Sequence, residues 1–366
     1  MATIEEQIKE IEAELARTQY NKKTQHHIGK LKAKMARLRH ELEVRRSKGP
    51  KAEGYAVKKS GHATVALVGF PSVGKSTLLN KITNATSEVA PYQFTTLTVI
   101  PGLMEHRGAK IQVLDMPGLI KDASKGKGRG REVLSVVRSA DLILLMLDVF
   151  ETNLDVLVNE LRAANIRLNE RPPDIVISKR NRGGVTVNFT TKQSVLDEDL
   201  VKAMVSEYGY INADVVIRED INEDQLIDYL AGNRLYVPAI VTINKTDLVT
   251  KDYIVQIEKR LKGWKVIPIA AEKEQGLDEL KDAIFDALKF IRVYMKPQGK
   301  EADLVEPLVI KEGSDIGVIC DSIHRDFRKN FRYAQVWGRS ARFPGQIVGL
   351  DHKVADQDIV TIIVRR

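Results

Sequence analysis

Apolar positions come in three regimes along the chain. Near the N-terminus Ile4, Ile8, Ile11 and Leu15, and then Ile28, Leu31, Met35, Leu38 and Leu42, step by threes and fours, as one face of a helix does. Thr18, Lys22 and Gln25 fill the positions between the two sets, so the spacing predicts two helices joined near 19–25 and folded back on each other. From Thr64 short continuous apolar runs take over: 64–68, 111–115, 141–148 and 239–243, with helical stretches between them. Such runs suit strands covered on both faces, and their alternation with helices predicts a mostly parallel sheet in an α/β domain. Asp148 closes the most apolar of these strands.

The stretch from 148 to 239 is too long for one crossover. Leu154, Leu157, Val158 and Leu161 supply a helix, and the remainder reads as a small α+β insertion at about 166–222. Within it, 174–179 and 185–190 flank Arg180-Asn181-Arg182-Gly183-Gly184, a hairpin signal; Leu200, Met204 and Tyr208 mark a helix face, and 214–218 a further strand. After about 292 the order is two strands (292–296 and 308–311), a helix with Ile319, Ile323, Phe327 and Phe331 four apart, and strands at 333–338, 346–349 and 359–364. That order predicts a ubiquitin-like β-grasp domain. The expected division is a helical hairpin at 1–46, a Gly- and Pro-bearing linker at 47–61, an α/β domain at 62–292 holding the insertion, and a β-grasp domain at 293–366.

Composition narrows the class. The 366 residues carry 29% charged and 43% hydrophobic side chains and a net charge of +8, an ordinary globular make-up. Apolar runs stay shorter than the roughly 18 residues a membrane span needs, and the start shows no signal-peptide pattern. The lone cysteine, Cys320, excludes an intrachain disulfide, so a reducing, cytoplasmic setting without a membrane partner is expected. The charge is concentrated: residues 1–60 hold 15 Lys and Arg against 8 Asp and Glu, and Arg17 to Arg39 contains eight basic residues and no acidic one. Two readings of that basic helix stay open, a solvated face or a contact with RNA or the ribosome. His26-His27 reads as surface polarity, because adjacent helical positions diverge.

The chemistry begins where strand 64–68 runs into Gly69-Phe70-Pro71-Ser72-Val73-Gly74-Lys75-Ser76, followed by the helical Thr77-Leu78-Leu79. G-x-x-x-x-G-K-S between a strand and a helix is a phosphate cradle: glycines let backbone N–H groups face the anion, Lys75 reaches β/γ oxygens, and the Ser76 hydroxyl can ligate Mg²⁺. Asp115-Met116-Pro117-Gly118 ends a second strand, where Asp115 can hold Mg²⁺ through water and the Gly118 N–H can meet a γ-phosphate. Asn244-Lys245-Thr246-Asp247 ends a third, and the Asp247 carboxylate can accept both N–H donors on guanine's Watson–Crick edge, which adenine lacks. An ATP-using enzyme is disfavoured on that ground. A fourth strand, 266–269, leads to Ala270-Ala271, whose backbone N–H could meet the guanine carbonyl.

In this order, with Phe94-Thr95-Thr96-Leu97 between the first two motifs, the chain resembles translation-factor-class GTPases of the Obg-related branch. Residues 8–19 and 29–34, Gly126-Lys127-Gly128-Arg129-Gly130-Arg131 and Asn165-Ile166-Arg167-Leu168-Asn169 resemble the developmentally regulated GTP-binding protein (DRG) family over nearly the whole length. The resemblance implies GTP and GDP as ligands with Mg²⁺, GTP hydrolysis, a ribosome- or translation-associated switch, and a C-terminal TGS domain. It implies a Mg²⁺-ligating switch-I threonine, for which the spacing from Ser76 favours Thr96 with Thr95 as the alternative, and residues 119–131 as switch II. The resemblance also implies that a eukaryotic member would use a dedicated stabilising partner protein.

Leu119 and Ile120 follow the D-x-P-G motif where many GTPases place a water-orienting Gln. Slow intrinsic hydrolysis is therefore expected, with Lys75, Thr96 and Gly118 as the catalytic candidates and no general base assigned. Some related GTPases bind K⁺ through a P-loop Asn; Ser72 holds the matching position, and K⁺ remains a candidate cofactor. In the terminal domain, Arg325, Arg328, Lys329, Arg332, Arg339 and Arg342 lie among Tyr333, Trp337 and Phe343, a composition that suits RNA. Cys320 and His324 are too few for a zinc site; a core cysteine and a surface histidine are expected. The competing functional reading is an RNA-binding scaffold in which guanine nucleotide is a structural ligand.

Overall fold

The computed structural model describes residues 3–19, 21, 24–47, 61–83, 100–116 and 136–365. Residues 48–60 of the expected 47–61 linker, Phe94–Leu97 and residues 117–135 lie outside it. The described chain forms two compact units, one of residues 55–164 and 237–366, the other of 1–54 and 165–236.

The first unit is built on a six-stranded sheet: β1 (Ala63–Gly69), β2 (Ile100–His106), β3 (Ala109–Asp115), β4 (Leu142–Asp148), β10 (Ala239–Asn244) and β11 (Val266–Pro268), in the order β11-β10-β4-β1-β3-β2. Every neighbouring pair is parallel except β2 with β3. β1, β4 and β10 are buried along their whole lengths, as continuous apolar runs between helical layers must be. The antiparallel edge strand β2 was not anticipated. Pro101, Gly102 and Glu105 interrupt its apolar pattern, but Arg107-Gly108, both at positive φ, make a two-residue hairpin turn that the sequence could have signalled. The α/β core also takes in the helix Leu277–Ala287 and reaches Phe290, the first residue of β12 (Phe290–Met295).

β12 opens a five-stranded sheet with β13 (Leu308–Lys311), β14 (Phe331–Trp337), β15 (Gln346–Val348) and β16 (Asp358–Val364), in the order β13-β12-β16-β14-β15. Parallel β12 and β16 at its centre and the helix Ile316–Ile323, which buries Ile316, Ile319 and Cys320, give the expected β-grasp. One expectation fails here. The apolar spacing read as a single helix through Phe331 breaks at His324, whose extended backbone and ring Nδ1 start a separate turn, Arg325–Lys329; Phe331 opens β14 instead. Phe327 and Phe331 still pack on the same core, so the spacing tracked burial and missed the change of element. Cys320 is buried and His324 exposed.

The second unit joins the N-terminal helices, Ile4–Arg17 and Gln25–Ser47, to the inserted segment. A capping box on Thr3 and Glu6 starts the first helix, and Ile8, Ile11 and Leu38 form the buried seam between the two. The second helix also packs on the helices Glu198–Glu207 and Glu223–Ala231, with Ala33 fully buried in the insertion's core. The insertion's sheet is β6 (Ile175–Lys179), β8 (Ala213–Ile217) and β7 (Val185–Phe189), in that order. The predicted 174–179/185–190 hairpin is therefore corrected: β6 and β7 both pair with β8, one antiparallel and one parallel. β8 buries Ala213, Val215 and Ile217 and satisfies both of its edges at the centre, which a hairpin alone would not. β5 (Ile166–Leu168) and β9 (Leu235–Val237) form a two-stranded ribbon that the reading also missed. A buried ion cluster lies beside it: Arg167 grips Asp228 with two hydrogen bonds, of 2.5 and 2.7 Å, and Arg234 adds a third at 2.6 Å.

Candidate nucleotide site

The C-terminal ends of β1, β3, β4 and β10 converge, as parallel topology requires, and each carries one part of the candidate site. β1 delivers Gly69 and the loop Phe70–Gly74, after which the helix Lys75–Ile82 begins. Two glycines are obligatory for different reasons. A β-carbon on Gly69 would collide with the Met146 carbonyl of neighbouring β4. Gly74 has φ +97°, and its missing β-carbon leaves the space that the Asn244 amide occupies. Ser72 is also left-handed, at φ +63°, so the loop turns its backbone through a conformation few side chains adopt. Pro71 and Ser72 are exposed, Val73 is buried, and Thr77 lies in the first helical turn.

Lys75 is 9% exposed and donates to the Gly69 and Phe70 carbonyls at 3.2 and 2.8 Å. Burial pushes its pKa below the usual lysine value, and the Asp115 carboxylate opposes that shift. The Ser76 hydroxyl donates to Asp115 at 2.6 Å. The two oxygens expected to serve Mg²⁺, one direct and one through water, thus meet, although they come from the P-loop helix and the end of β3. Their donor chemistry, a hydroxyl and a carboxylate beside a phosphate cradle, suits a hard divalent cation. Thr95, Thr96, Gly118, Leu119 and Ile120 lie outside the described residues.

On the base side, β10 ends level with β4, pairing Asn244 with Asp148. The Asn244 amide donates to the Val73 carbonyl at 2.9 Å and its oxygen accepts the Ala271 N–H at 3.0 Å, so it ties the P-loop to the 270–271 turn. Ala270 N–H donates to the Gln275 carbonyl at 3.0 Å. Both amides expected to meet guanine are therefore engaged within the protein, and either must share or exchange its partner to reach a ligand oxygen. Asp247 sits in a 3₁₀ turn, Thr246–Leu248, with its carboxylate 3.0 Å from the Lys273 ammonium. Lys245, at φ +62°, reaches back to the Ser72 carbonyl at 3.0 Å and to Asp148 at 2.6 Å. Asp148 lies beside the site, outside the residues proposed to touch nucleotide, and was not singled out from the sequence; the signal was a carboxylate closing the most apolar strand.

Away from this site, much of the basic N-terminal helix is engaged internally. Lys32 pairs with Glu223 at 3.1 Å and Asp224 at 3.6 Å, Arg37 donates to the Glu207 carbonyl at 2.7 Å, and Arg39 pairs with Glu12 at 2.7 Å. In the terminal domain Arg328 pairs with Asp321, Arg332 lies over the Tyr333 ring, and the Lys296 ammonium stands 4.6 Å from the Trp337 ring centre. Phe343 is 60% exposed. Among the described residues no group of three or more His, Cys, Asp or Glu side chains could hold a metal, and no helix is long and apolar enough to cross a membrane.

Comparison with known proteins agrees with this architecture. Residues 64–179 match a family model described as "50S ribosome-binding GTPase", residues 182–290 one described as "C-terminal region of MMR_HSR1 domain", and residues 291–364 the TGS domain. An uncharacterized GTP-binding protein of Methanocaldococcus jannaschii is 54% identical, over 99% of this chain and 93% of its own. The developmentally-regulated GTP-binding protein 1 homolog of Dictyostelium discoideum is 46% identical over 98% of each chain. Developmentally-regulated GTP-binding protein 1 of Xenopus laevis is 44% identical, over 97% of this chain and 98% of its own.

Proposed function

We propose, from the premise that this chain belongs to the developmentally regulated GTP-binding protein family, that it hydrolyses GTP to GDP and phosphate as a switch acting with the ribosome. The observation that carries the hydrolytic part is the meeting of Ser76 and Asp115 at 2.6 Å beside the Lys75 ammonium. In this reading the N–H groups of 72–77 cradle the phosphates and Lys75 sits between the β- and γ-oxygens. Asn244 keeps the loop shaped while Asp247 accepts guanine's two donors. Mg²⁺, when bound, neutralises charge developing on the phosphate oxygens; Ser76 and Asp115, with Thr96 or Thr95, would hold it. Gly118 would report the γ-phosphate to residues 119–131. Leu119 and Ile120 follow Gly118 in sequence and neither side chain can hydrogen-bond a water, so intrinsic turnover is expected to be slow until a partner or a cation such as K⁺ completes the site.

Ribosome association is supported by the description of the matched family model and by the terminal basic and aromatic residues around Arg332, Tyr333 and Trp337. The internal pairing of Lys32, Arg37 and Arg39 makes the N-terminal helix the weaker RNA candidate. A stabilising protein partner and a cytoplasmic setting belong to the same proposal, as does the domain division at 1–46, 47–61, 62–292 and 293–366. The test is cosedimentation of the full chain with purified ribosomes in GDP and in a non-hydrolysable GTP analogue, beside measured GTP turnover. Tighter ribosome binding in one nucleotide state, with measurable turnover, supports the switch. Equal binding in both states with no turnover means a scaffold.

A further inference from the structure

The end of β4 carries a carboxylate that no part of the phosphate or base chemistry above requires. Asp148 is 5% exposed at the C-terminal tip of a fully buried strand. One of its oxygens accepts the N–H groups of Phe150 and Glu151, at 3.0 and 2.8 Å, which turns the chain out of the sheet and anchors the side chain. The other oxygen accepts the Lys245 ammonium at 2.6 Å. Burial opposes its charge, yet Lys245 and the two amides outweigh that and hold its pKa below the ordinary carboxylate value.

The same ammonium donates to the Ser72 carbonyl at 3.0 Å, at the crown of the phosphate loop. Ser72 and Lys245 both hold left-handed backbones, so neither loop sits in its least strained conformation by itself. The pairing of Asn244 with Asp148 across β10 and β4 explains the reach: the strands end level, and the next residue, Lys245, arches over the tip of β4 onto the loop. From this geometry we infer that Asp148 is a positioning residue for guanine-nucleotide binding, acting through Lys245 to lock the base-recognition loop onto the phosphate loop. It touches no phosphate or base itself. Its effect therefore falls on how long nucleotide stays bound, and not on bond cleavage.

This inference rests on the nucleotide reading above, and the experiment keeps the two apart. Release of a fluorescent GDP is followed in the full chain for Asp148→Asn, Asp148→Ser, Lys245→Met and the Asp148→Asn/Lys245→Met double variant. Asn and Ser keep an oxygen for the Phe150 and Glu151 amides and remove the negative charge that faces the Lys245 ammonium. Each single variant is expected to release GDP about tenfold faster, the effect of one lost charge-assisted hydrogen bond, with single-turnover hydrolysis at saturating GTP unchanged in the Asp148 variants. In the Lys245→Met background Asp148→Asn is expected to add less than about twofold, because its partner is already gone. Wild-type release rates in both Asp148 variants, or an undiminished tenfold effect in the Lys245→Met background, would overturn the inference. An unaltered chain that binds no GDP overturns the nucleotide reading itself and this inference with it.

Discussion

The side-chain amide of Asn244 fills the space where a β-carbon on Gly74 would stand. That amide donates to the Val73 carbonyl at 2.9 Å, so the end of β10 and the Phe70–Gly74 loop are packed through one missing methyl group. Gly74→Ala must displace Asn244 and also hold alanine at φ +97°, at a conformational cost of about 1–3 kcal/mol. The expected outcome is at least a tenfold weaker GDP affinity by calorimetry, with near-wild-type far-UV circular dichroism.

Ser76 and Asp115 point to a test of the metal. Ser76→Ala removes the hydroxyl that meets Asp115, and Lys75→Ala removes the ammonium behind it. Both variants should lose Mg²⁺-dependent GTP turnover by about a hundredfold or more. Phosphate release at the wild-type rate in either would reject the assignment.

Asp247 should decide the base. Replacing its carboxylate by an amide (Asp247→Asn) puts an N–H donor where guanine also presents donors, while xanthine presents a carbonyl at that edge. The variant is expected to favour xanthosine over guanosine diphosphate by about a hundredfold in competition binding. Unaltered preference for guanosine would mean that Asp247, which also pairs with Lys273, is structural.

The ion cluster of the second unit should be a stability element. Asp228 is 5% exposed and accepts from two guanidinium groups, so Asp228→Ala removes the carboxylate that Arg167 and Arg234 share in a buried setting. A loss of about 3–5 kcal/mol is expected in urea unfolding. A loss below 1 kcal/mol would show that water readily reaches the cluster.

Tyr208 gives an alkaline signature. Burial pushes its phenol from 10.0 up to about 12, against the pull of Arg234 and Arg37. The folded state holds this proton more tightly than the unfolded chain. The contribution is therefore complete below pH 10 and is lost as pH rises from 10 through about 12. Tyr208→Phe should lose less stability than the unaltered chain over that interval, as read by chemical unfolding at pH 9 and pH 12.

The parts of the site that were legible are those whose chemistry is local. A strand, a glycine-bearing turn and a helix start fit within Val65–Leu79, so the cradle and its lysine follow from neighbours in sequence. Asn244–Asp247 and Asp115 could be read because each ends an apolar run. Apart from the local β2–β3 hairpin, what failed depended on tertiary packing. β6 and β7 look like a hairpin until β8, more than twenty residues on, enters between them. The helix read through Phe331 follows burial on the β-grasp core, and only the cap at His324 shows that the chain changes element there. The basic second helix could be read as solvated or as RNA-facing because three of its acidic partners, Glu207, Glu223 and Asp224, lie more than 150 residues further along the chain.

The sequence by itself determined the main strands of the α/β sheet, the strand–glycine loop–helix motif at 64–79, the Asn244–Asp247 motif and the family, because periodicity and short motifs are properties of adjacent residues. The tertiary structure alone decided which strands pair, that the N-terminal helices share a core with the insertion, and that Asp148 meets Lys245. Those contacts arise where separate segments are brought level by sheet register and helix packing. The distances involved span nearly a hundred residues between Asp148 and Lys245, a separation over which no local pattern carries information.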